Sequence, residues 1–386
     1  VAGETFFVDP DCYSRLTRAR MVMEGGGPVR FHDFENWPDG VRSHTTAPMD
    51  YALAGLARLG LGLDRAGAWI APLLGGLLGV FLWIWSGRMG ARYRVPMLLL
   101  YAVSPMLVHG TLLGRPDHHA LILLCMGVAL GAEVALLRQP SRGWGVVAGA
   151  GWGLGFWVSL YEPGILFLVV TGLLLVLNPR GVMAPERRPG WGVFAAILGL
   201  ALLVEGVPKT VPAPEVVHYF PNWSRTIGEL ARVPLFSDTM ARWTLLFYPL
   251  VPLLLWWRSR RGERRVCRFW LGLFLVVLGL TCWQARWGYF LSLVMVMALP
   301  WALEALPRRW MAVALFVIGL WPVARDWEER LGWNPQGERE VARRLEQRRE
   351  NLELRLLAEV IRERGGAFVA PWWQSPALAY WSRQPG

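Results

Sequence analysis

Lysine is almost absent from this chain: of its 40 basic residues only Lys209 is a lysine. That arginine bias accompanies GC-rich prokaryotic genomes. Cysteine is scarce as well. Cys12, Cys125, Cys267 and Cys282 form no CxxC pair, and three of them lie in or beside apolar segments, which excludes a disulfide framework and a zinc site. No internal repeat or low-complexity tract is present, so solenoid arrays are excluded. No apolar segment leads the chain before Asp9, and polar sequence begins at once. The expectation is that a first transmembrane helix belongs before Val1 and that a soluble domain begun near the end continues past Gly386.

Apolar residues, by contrast, are abundant. With 386 residues, 54% hydrophobic content and 23 tryptophans, and a mean hydropathy of +0.32, the chain carries more apolar surface than a soluble core can hide. The net charge of +11 does not point to nucleic acid, because the arginines sit between apolar runs instead of on one polar domain. A spanning helix needs about 20 mostly apolar residues. Ten stretches qualify: 66–86, 95–112, 118–137, 144–160, 162–178, 190–206, 239–257, 267–284, 288–303 and 309–324.

Alternate connections are strongly basic, around Arg88 to Arg94, Arg138 to Arg142, Arg180 to Arg188, Arg258 to Arg268 and Arg308 to Arg309. The positive-inside rule makes these cytoplasmic. The other connections then face outward: residues 1–65, 113–117, 161, 207–238, 285–287 and everything after 325. The resulting layout is an all-α polytopic membrane protein with a first external loop (1–65), a membrane domain of about ten helices (66–324) and an external loop at 207–238. A mixed α/β soluble domain would start at 325–386. Within these parts a short helix is expected over Tyr13 to Glu24, ended by Gly25 to Gly27, together with a charged helix over Glu338 to Arg364 and a β-like stretch over Ala367 to Ala370.

The residues that can carry chemistry all lie in or at the edge of the outer set. Asp9 and Asp11, two apart, can hold a hard divalent cation through oxygen, or else Asp9 simply caps the helix that follows. In Gly114-Arg115-Pro116-Asp117-His118-His119, a carboxylate and imidazoles stand where a span emerges. Such groups are costly there without partners. With Pro116 starting a helix, Asp117 and His119 share a direction while His118 points elsewhere. Glu229 closes the short pattern Thr226-Ile227-Gly228-Glu229, and Arg286 is a lone cation between two apolar spans, either an interfacial anchor or a phosphate ligand. Trp372-Trp373-Gln374 follows the β-like stretch, where paired tryptophans most often pack in a core.

In this order the segments resemble the catalytic subunit of the oligosaccharyltransferase family, large GT-C glycosyltransferases. Asp9 to Tyr13 resembles the first acidic motif, and Asp33 to Gly40 the Asp-Asn-Pro-Gly pattern that follows it. Asp117-His118-His119 resembles the second acidic motif, Thr226 to Glu229 the TIxE motif, and Trp372-Trp373 the opening of WWDYG. The resemblance implies a GT-C membrane domain and transfer of an oligosaccharide from a polyprenyl (di)phosphate to an asparagine side chain of an acceptor polypeptide, with inversion and with Mn²⁺ or Mg²⁺. It implies Asp11, Asp117, His119 and Glu229 as metal ligands, with Asp11 and Glu229 also orienting the acceptor amide. Asp9 and His118 would support them, Arg286 would bind the pyrophosphate, and Trp372, Trp373 and Gln374 would bind the acceptor. The setting it implies is a bacterial inner membrane or archaeal cell membrane, with the site on the periplasmic or extracellular face. Gln374 replaces the family's Asp and Ser375-Pro376 its Tyr-Gly, so the acceptor rule is open: a lipid, a glycan or a Ser/Thr hydroxyl fits the changed motif. Outside this class stand a transporter and a non-catalytic homologue. Transporters place their charged sites near the bilayer midplane, whereas here the acidic groups sit at helix ends.

Overall fold

A computed structural model of the chain describes residues 5–35, 37–42, 47–207, 225, 227–333 and 335–386. Thr226 and most of the 207–238 loop lie outside the described residues.

The N-terminal segment forms α1 (Pro10–Gly25). Its start is earlier than expected because the Asp9 carboxylate caps it, accepting from Cys12 N–H at 3.0 Å, and Pro10 sits in the first turn, where a missing N–H is harmless. Gly26, in the left-handed region, ends it as the glycine run predicts. A two-stranded antiparallel ribbon, β1 (Phe31–His32) and β2 (Val41–Arg42), then leads to α2 (Ala47–Leu56).

Each of the ten apolar stretches is helical. The order is α3 (Leu63–Arg88), α4 (Arg94–Val103), α5 (Pro105–Gly110), α6 (His119–Arg138), α7 (Arg142–Val158), α8 (Tyr161–Leu177), α9 (Pro179–Val182) and α10 (Arg188–Glu205). It continues through α11 (Asp238–Thr244), α12 (Phe247–Arg261), α13 (Arg264–Trp283), α14 (Gly288–Leu303), α15 (Arg309–Gly319), α16 (Trp321–Arg330), α17 (Pro335–Arg364) and α18 (Ser375–Ser382). Three expected spans are broken. Ser104 turns extended before Pro105 and divides 95–112, and left-handed Leu245 and Leu246 divide 239–257. Leu320 separates α15 from α16 within 309–324. Among the described residues, five helical segments are both long and apolar enough to cross a membrane: 63–88, 119–138, 179–205, 264–283 and 285–303.

Two of these, α6 and α14, are almost wholly buried and form the centre of the bundle. Glycine lets their neighbours approach. A Cβ on Gly151 of α7 would meet Ala129 N of α6 at 2.8 Å, and one on Gly149 would meet Gly190 O of α10 at 2.0 Å. Backbone-to-backbone packing of this kind replaces the hydrophobic driving force that lipid removes. Beside it the buried Glu133 carboxylate accepts from Arg187 and from Trp152 Nε1, at 3.1 Å for the indole.

The basic connections meet at one end of the bundle. Arg138 pairs with Glu263 at 2.9 Å, Trp301 Nε1 donates to the same carboxylate at 2.8 Å, and Arg258 lies 3.4 Å from Glu304. At the C-terminus, α17 covers the expected charged helix, but residues 367–370 form no strand; the Phe368 N–H donates to Pro385 O instead. The described part of 325–386 is therefore helical rather than α/β. Its last helix, α18, docks on α1: Arg20 donates to Tyr380 O at 2.9 Å and the Trp381 ring meets Tyr13 edge-on at 4.9 Å.

Gly149→Val is expected to destabilise the bundle by at least about 1–3 kcal/mol, the usual range for an overpacked interior. Gly172→Val, with no atom near the added carbon, should leave it unchanged. Thermal unfolding in detergent, followed by size exclusion, reads the difference; equal melting of the two variants would mean that α7 and α10 do not touch as described.

Candidate active site

Four helices bring their N-terminal ends together opposite the basic end: α1, α6, α8 and α14. Each end carries unsatisfied N–H groups and a partial positive charge, so carboxylates and phosphates are stabilised there. The sequence places acidic or polar groups at each: Asp9 and Asp11 on α1, Asp117 to His119 on α6, Glu162 on α8, and Arg286 with Tyr289 on α14.

Arg115 is the hub. Its buried guanidinium lies 3.7 Å from Asp9, 3.7 Å from Asp117 and 4.0 Å from Glu229, and donates to Tyr289 Oη at 3.0 Å and to His109 O at 3.2 Å. Asp117 is gripped from both sides, one carboxylate oxygen by His118 Nδ1 and the other by His119 Nδ1. Burial alone would raise the Asp117 carboxyl, but the two imidazoles more than offset it and hold the group well below the usual carboxylate range. The helix begins at His119, not at Pro116, and His118 turns to the same carboxylate instead of away from it. Arg15 reaches within 3.3 Å of His118 Nδ1 and is itself held by buried Asp50 at 3.3 Å.

Asp11 stands in the first turn of α1. By surface area it is exposed, yet enclosure by its surroundings, then the charges of Asp9 and Asp117, push its carboxyl above the ordinary value. Glu229, on a short 3₁₀ turn (Gly228–Leu230), approaches His119 Nε2 at 3.8 Å and Arg286 at 3.7 Å. Arg286 in turn is fixed by Glu162, which is 1% exposed, at 2.9 Å; Ser159 donates to the other Glu162 oxygen at 2.6 Å.

The donor chemistry suits a divalent metal. Ligand atoms from Asp117, His118 and His119 all lie within 4.8 Å of one another. His119 Nε2 is buried without a hydrogen-bond partner, as an imidazole waiting to ligate would be. Beside this group opens a cavity of about 970 Å³ whose inner wall is His109, Arg115, Glu229, Arg286 and Tyr289.

The structure thus brings together Asp9, Asp117, His118, His119, Glu229 and Arg286, and Asp11 feels the charges of Asp9 and Asp117. Trp372 and Trp373 are exposed and stack edge-on at 5.8 Å, outside any core, while Gln374 N–H donates to Pro371 O just ahead of α18. Sequence reading passed over Arg115, although it quoted its motif, and it passed over His109, Glu162 and Tyr289. A charged residue heading an apolar run, as in Tyr161-Glu162-Pro163-Gly164, was the available signal for Glu162.

No protein-family model matches the chain, and no curated protein matches it. Solved structures do. The oligosaccharyltransferase of Archaeoglobus fulgidus, tethered to an acceptor peptide containing the NVT sequon, superposes with a TM-score of 0.58 at 14% identity, over 87% of this chain and 55% of that one. The same enzyme in complex with Zn and sulfate gives 0.60 at 16% identity, over 87% and 53%. ArnT from Cupriavidus metallidurans, bound to undecaprenyl phosphate, gives 0.62 at 17% identity, over 98% and 71%. The chain therefore spans about half the length of the oligosaccharyltransferase. The fold that the motifs led us to expect is the fold found: this chain is built as a GT-C membrane protein, with its acidic and histidine-bearing motifs at converging helix ends.

Proposed function

We propose that the chain is a glycosyltransferase that moves a glycan from a polyprenyl (di)phosphate donor, using Mn²⁺ or Mg²⁺, with an asparagine side chain as its acceptor. The observation that carries this reading is the convergence of Asp117, His119, Glu229 and Arg286 from three segments far apart in sequence, linked through Arg115 and Glu229, beside a cavity that Glu229 and Arg286 line. The solved relatives of this fold support it: one holds undecaprenyl phosphate, another an acceptor peptide.

Asp117, His119, Glu229 and Asp11 would hold the metal, with His118 beside them. Imidazole together with carboxylate suits Mn²⁺ better than Mg²⁺, which prefers oxygen throughout. Bound there, a divalent ion would supply charge neutralisation to the departing phosphate. The remaining work falls to the chain. Arg286 and Arg115 offer guanidinium N–H groups to the donor's phosphate oxygens, where negative charge grows as the bond to the anomeric carbon breaks. Glu162 and Ser159 keep Arg286 from swinging away. Asp11 and Glu229 accept hydrogen bonds from the acceptor amide and hold its nitrogen for in-line attack. The new C–N bond forms as the C–O bond to phosphate breaks, the bonding pair leaves with the phosphate, and the amide proton passes to a carboxylate. Attack opposite the leaving group inverts the anomeric carbon. By the positive-inside rule the site faces the periplasm or the cell exterior, because the arginine-rich connections gather at the far end.

A second acceptor class is favoured by one observation. Gln374 lacks the charge expected of an acceptor-recognising Asp, and the tryptophans ahead of it are exposed. A lipid, glycan or Ser/Thr hydroxyl acceptor fits that change.

Transfer from a polyprenyl-diphosphate glycan to peptides with Asn-X-Thr, Asn-X-Ala or serine-only acceptors, measured in membranes, tests the proposal. Chelation should abolish turnover and Mn²⁺ restore it. Asp117→Ala and Glu229→Ala should each lower the rate by roughly 10²–10³-fold, the scale of losing one preorganised group that stabilises the transition state. Donor turnover without peptide glycosylation moves the acceptor to the second class; no donor turnover ends the catalytic reading. Separately, Arg286→Ala should raise the donor KM and lower kcat by about 10²-fold, and Glu162→Gln should shift both in the same direction by less; wild-type kinetics in Arg286→Ala would remove the phosphate role.

A further inference from the structure

The cavity beside the acidic group is larger than a metal and a phosphate require, and its two walls differ in chemistry. Its volume of about 970 Å³ stands at the upper end of the roughly 300–1,000 Å³ range of small-molecule sites. The inner wall, with Arg115, Arg286, His109 and Tyr289, is built to meet an anion. Part of the lining is apolar: Pro105, Met106 and Leu246. The outer wall belongs to α11 and α16 and is neither apolar nor uniformly cationic. It carries Asp238, Asp326 and Glu329, Arg242 and Arg325, with Trp243 and Trp321 at its edges.

We infer that this outer wall is a sugar subsite, which receives the donor residue attached to the phosphate and takes a hydroxyl-rich sugar that bears no carboxylate. This rests on the donor reading above. The argument is geometric first. With the phosphate on Arg286 and Arg115 and the prenyl tail along Pro105, Met106 and Leu246, the group on the phosphate's far side meets α11 and α16. The chemistry then agrees. Carboxylates and guanidiniums of mixed sign pair with hydroxyl donors and acceptors, while an indole face covers the apolar face of a pyranose. Trp321 is 63% exposed at the cavity rim, a large aromatic ring with a free face that a bound sugar would cover. Arg242 lies 3.7 Å from Glu329, so this wall is partly charge-compensated within itself. Three carboxylates face two guanidiniums there, which leaves it net negative and disfavours an acidic sugar. A prenyl chain has no use for such a surface, since each charged group it covered would be desolvated without a partner.

The test uses the full chain in nanodiscs and three probes: undecaprenyl phosphate, the same lipid carrying a hexose, and the same lipid carrying a hexuronic acid. Binding is measured for wild type, Trp321→Ala and Arg325→Ala. The wild type should bind the hexose-bearing lipid most tightly and the hexuronate least tightly among the sugar-bearing lipids. Both variants should lose about tenfold in affinity for the hexose lipid, as expected for truncating an anchoring side chain, while bare undecaprenyl phosphate should change by less than about twofold. Equal losses for bare and hexose-bearing lipid, or no loss for either, would overturn the subsite while leaving the donor reading intact. A wild type that binds none of the three lipids would overturn both.

Discussion

Negative charge gathered at the edge of a low-dielectric bundle must be compensated, and the site depends on how Arg115 does this. Its guanidinium stands among Asp9, Asp117 and Glu229, contributed by three separate segments, and donates from Nη1 to Tyr289 and His109. Without such a cation the carboxylates would repel one another across a low-dielectric space. With it, they stand close together. The converging helix N-termini contribute in the same sense, since carboxylates are stabilised at a helix start.

Holding four helix ends at one point requires the helices to be fixed elsewhere. That restraint lies at the opposite end and in the bundle's middle. Glu263 ties α6 and α14 together through Arg138 and Trp301, and the glycines of α7 admit α6 on one side and α10 on the other. Because α6 and α14 are the most buried helices, His119 at the start of one and Arg286 just before the other inherit the rigidity of the core. Glu229 has no such support; it sits on a single short turn, half-exposed. Under the proposed function, the combination of a rigid inner group and a lightly held carboxylate would suit the admission of two substrates and the release of a product.

The second acidic layer has a related logic. Glu162 is buried beneath Arg286, and Asp50 is buried between Arg15 and Arg18. Each carboxylate fixes a cation that faces the site. Arg286 is thus presented to the cavity and Arg15 to His118 without a long side chain having to be ordered when substrate arrives.

Much of this molecule is legible from local sequence. Hydropathy located ten apolar stretches that are all helical, because apolar helix content is decided residue by residue over about 20 positions; it missed the short helix α9 in a basic connection. The acidic and histidine motifs could be named for the same local reason: charge at the mouth of an apolar run is costly unless used. What local sequence could not decide was pairing. Glu162 with Arg286, and Arg115 with Asp9 and Glu229, join residues more than 100 positions apart, and only the packing of separate helices and turns against one another sets those distances. The same holds for 367–370, where β-favouring residues form no strand because, among the described residues, no partner edge lies beside them and Pro385 takes the hydrogen bond from Phe368. Sequence by itself determined which residues were available and at which ends of the apolar stretches they stand; tertiary structure decided which of them meet, because charge compensation acts through space over a few ångströms and not along the chain.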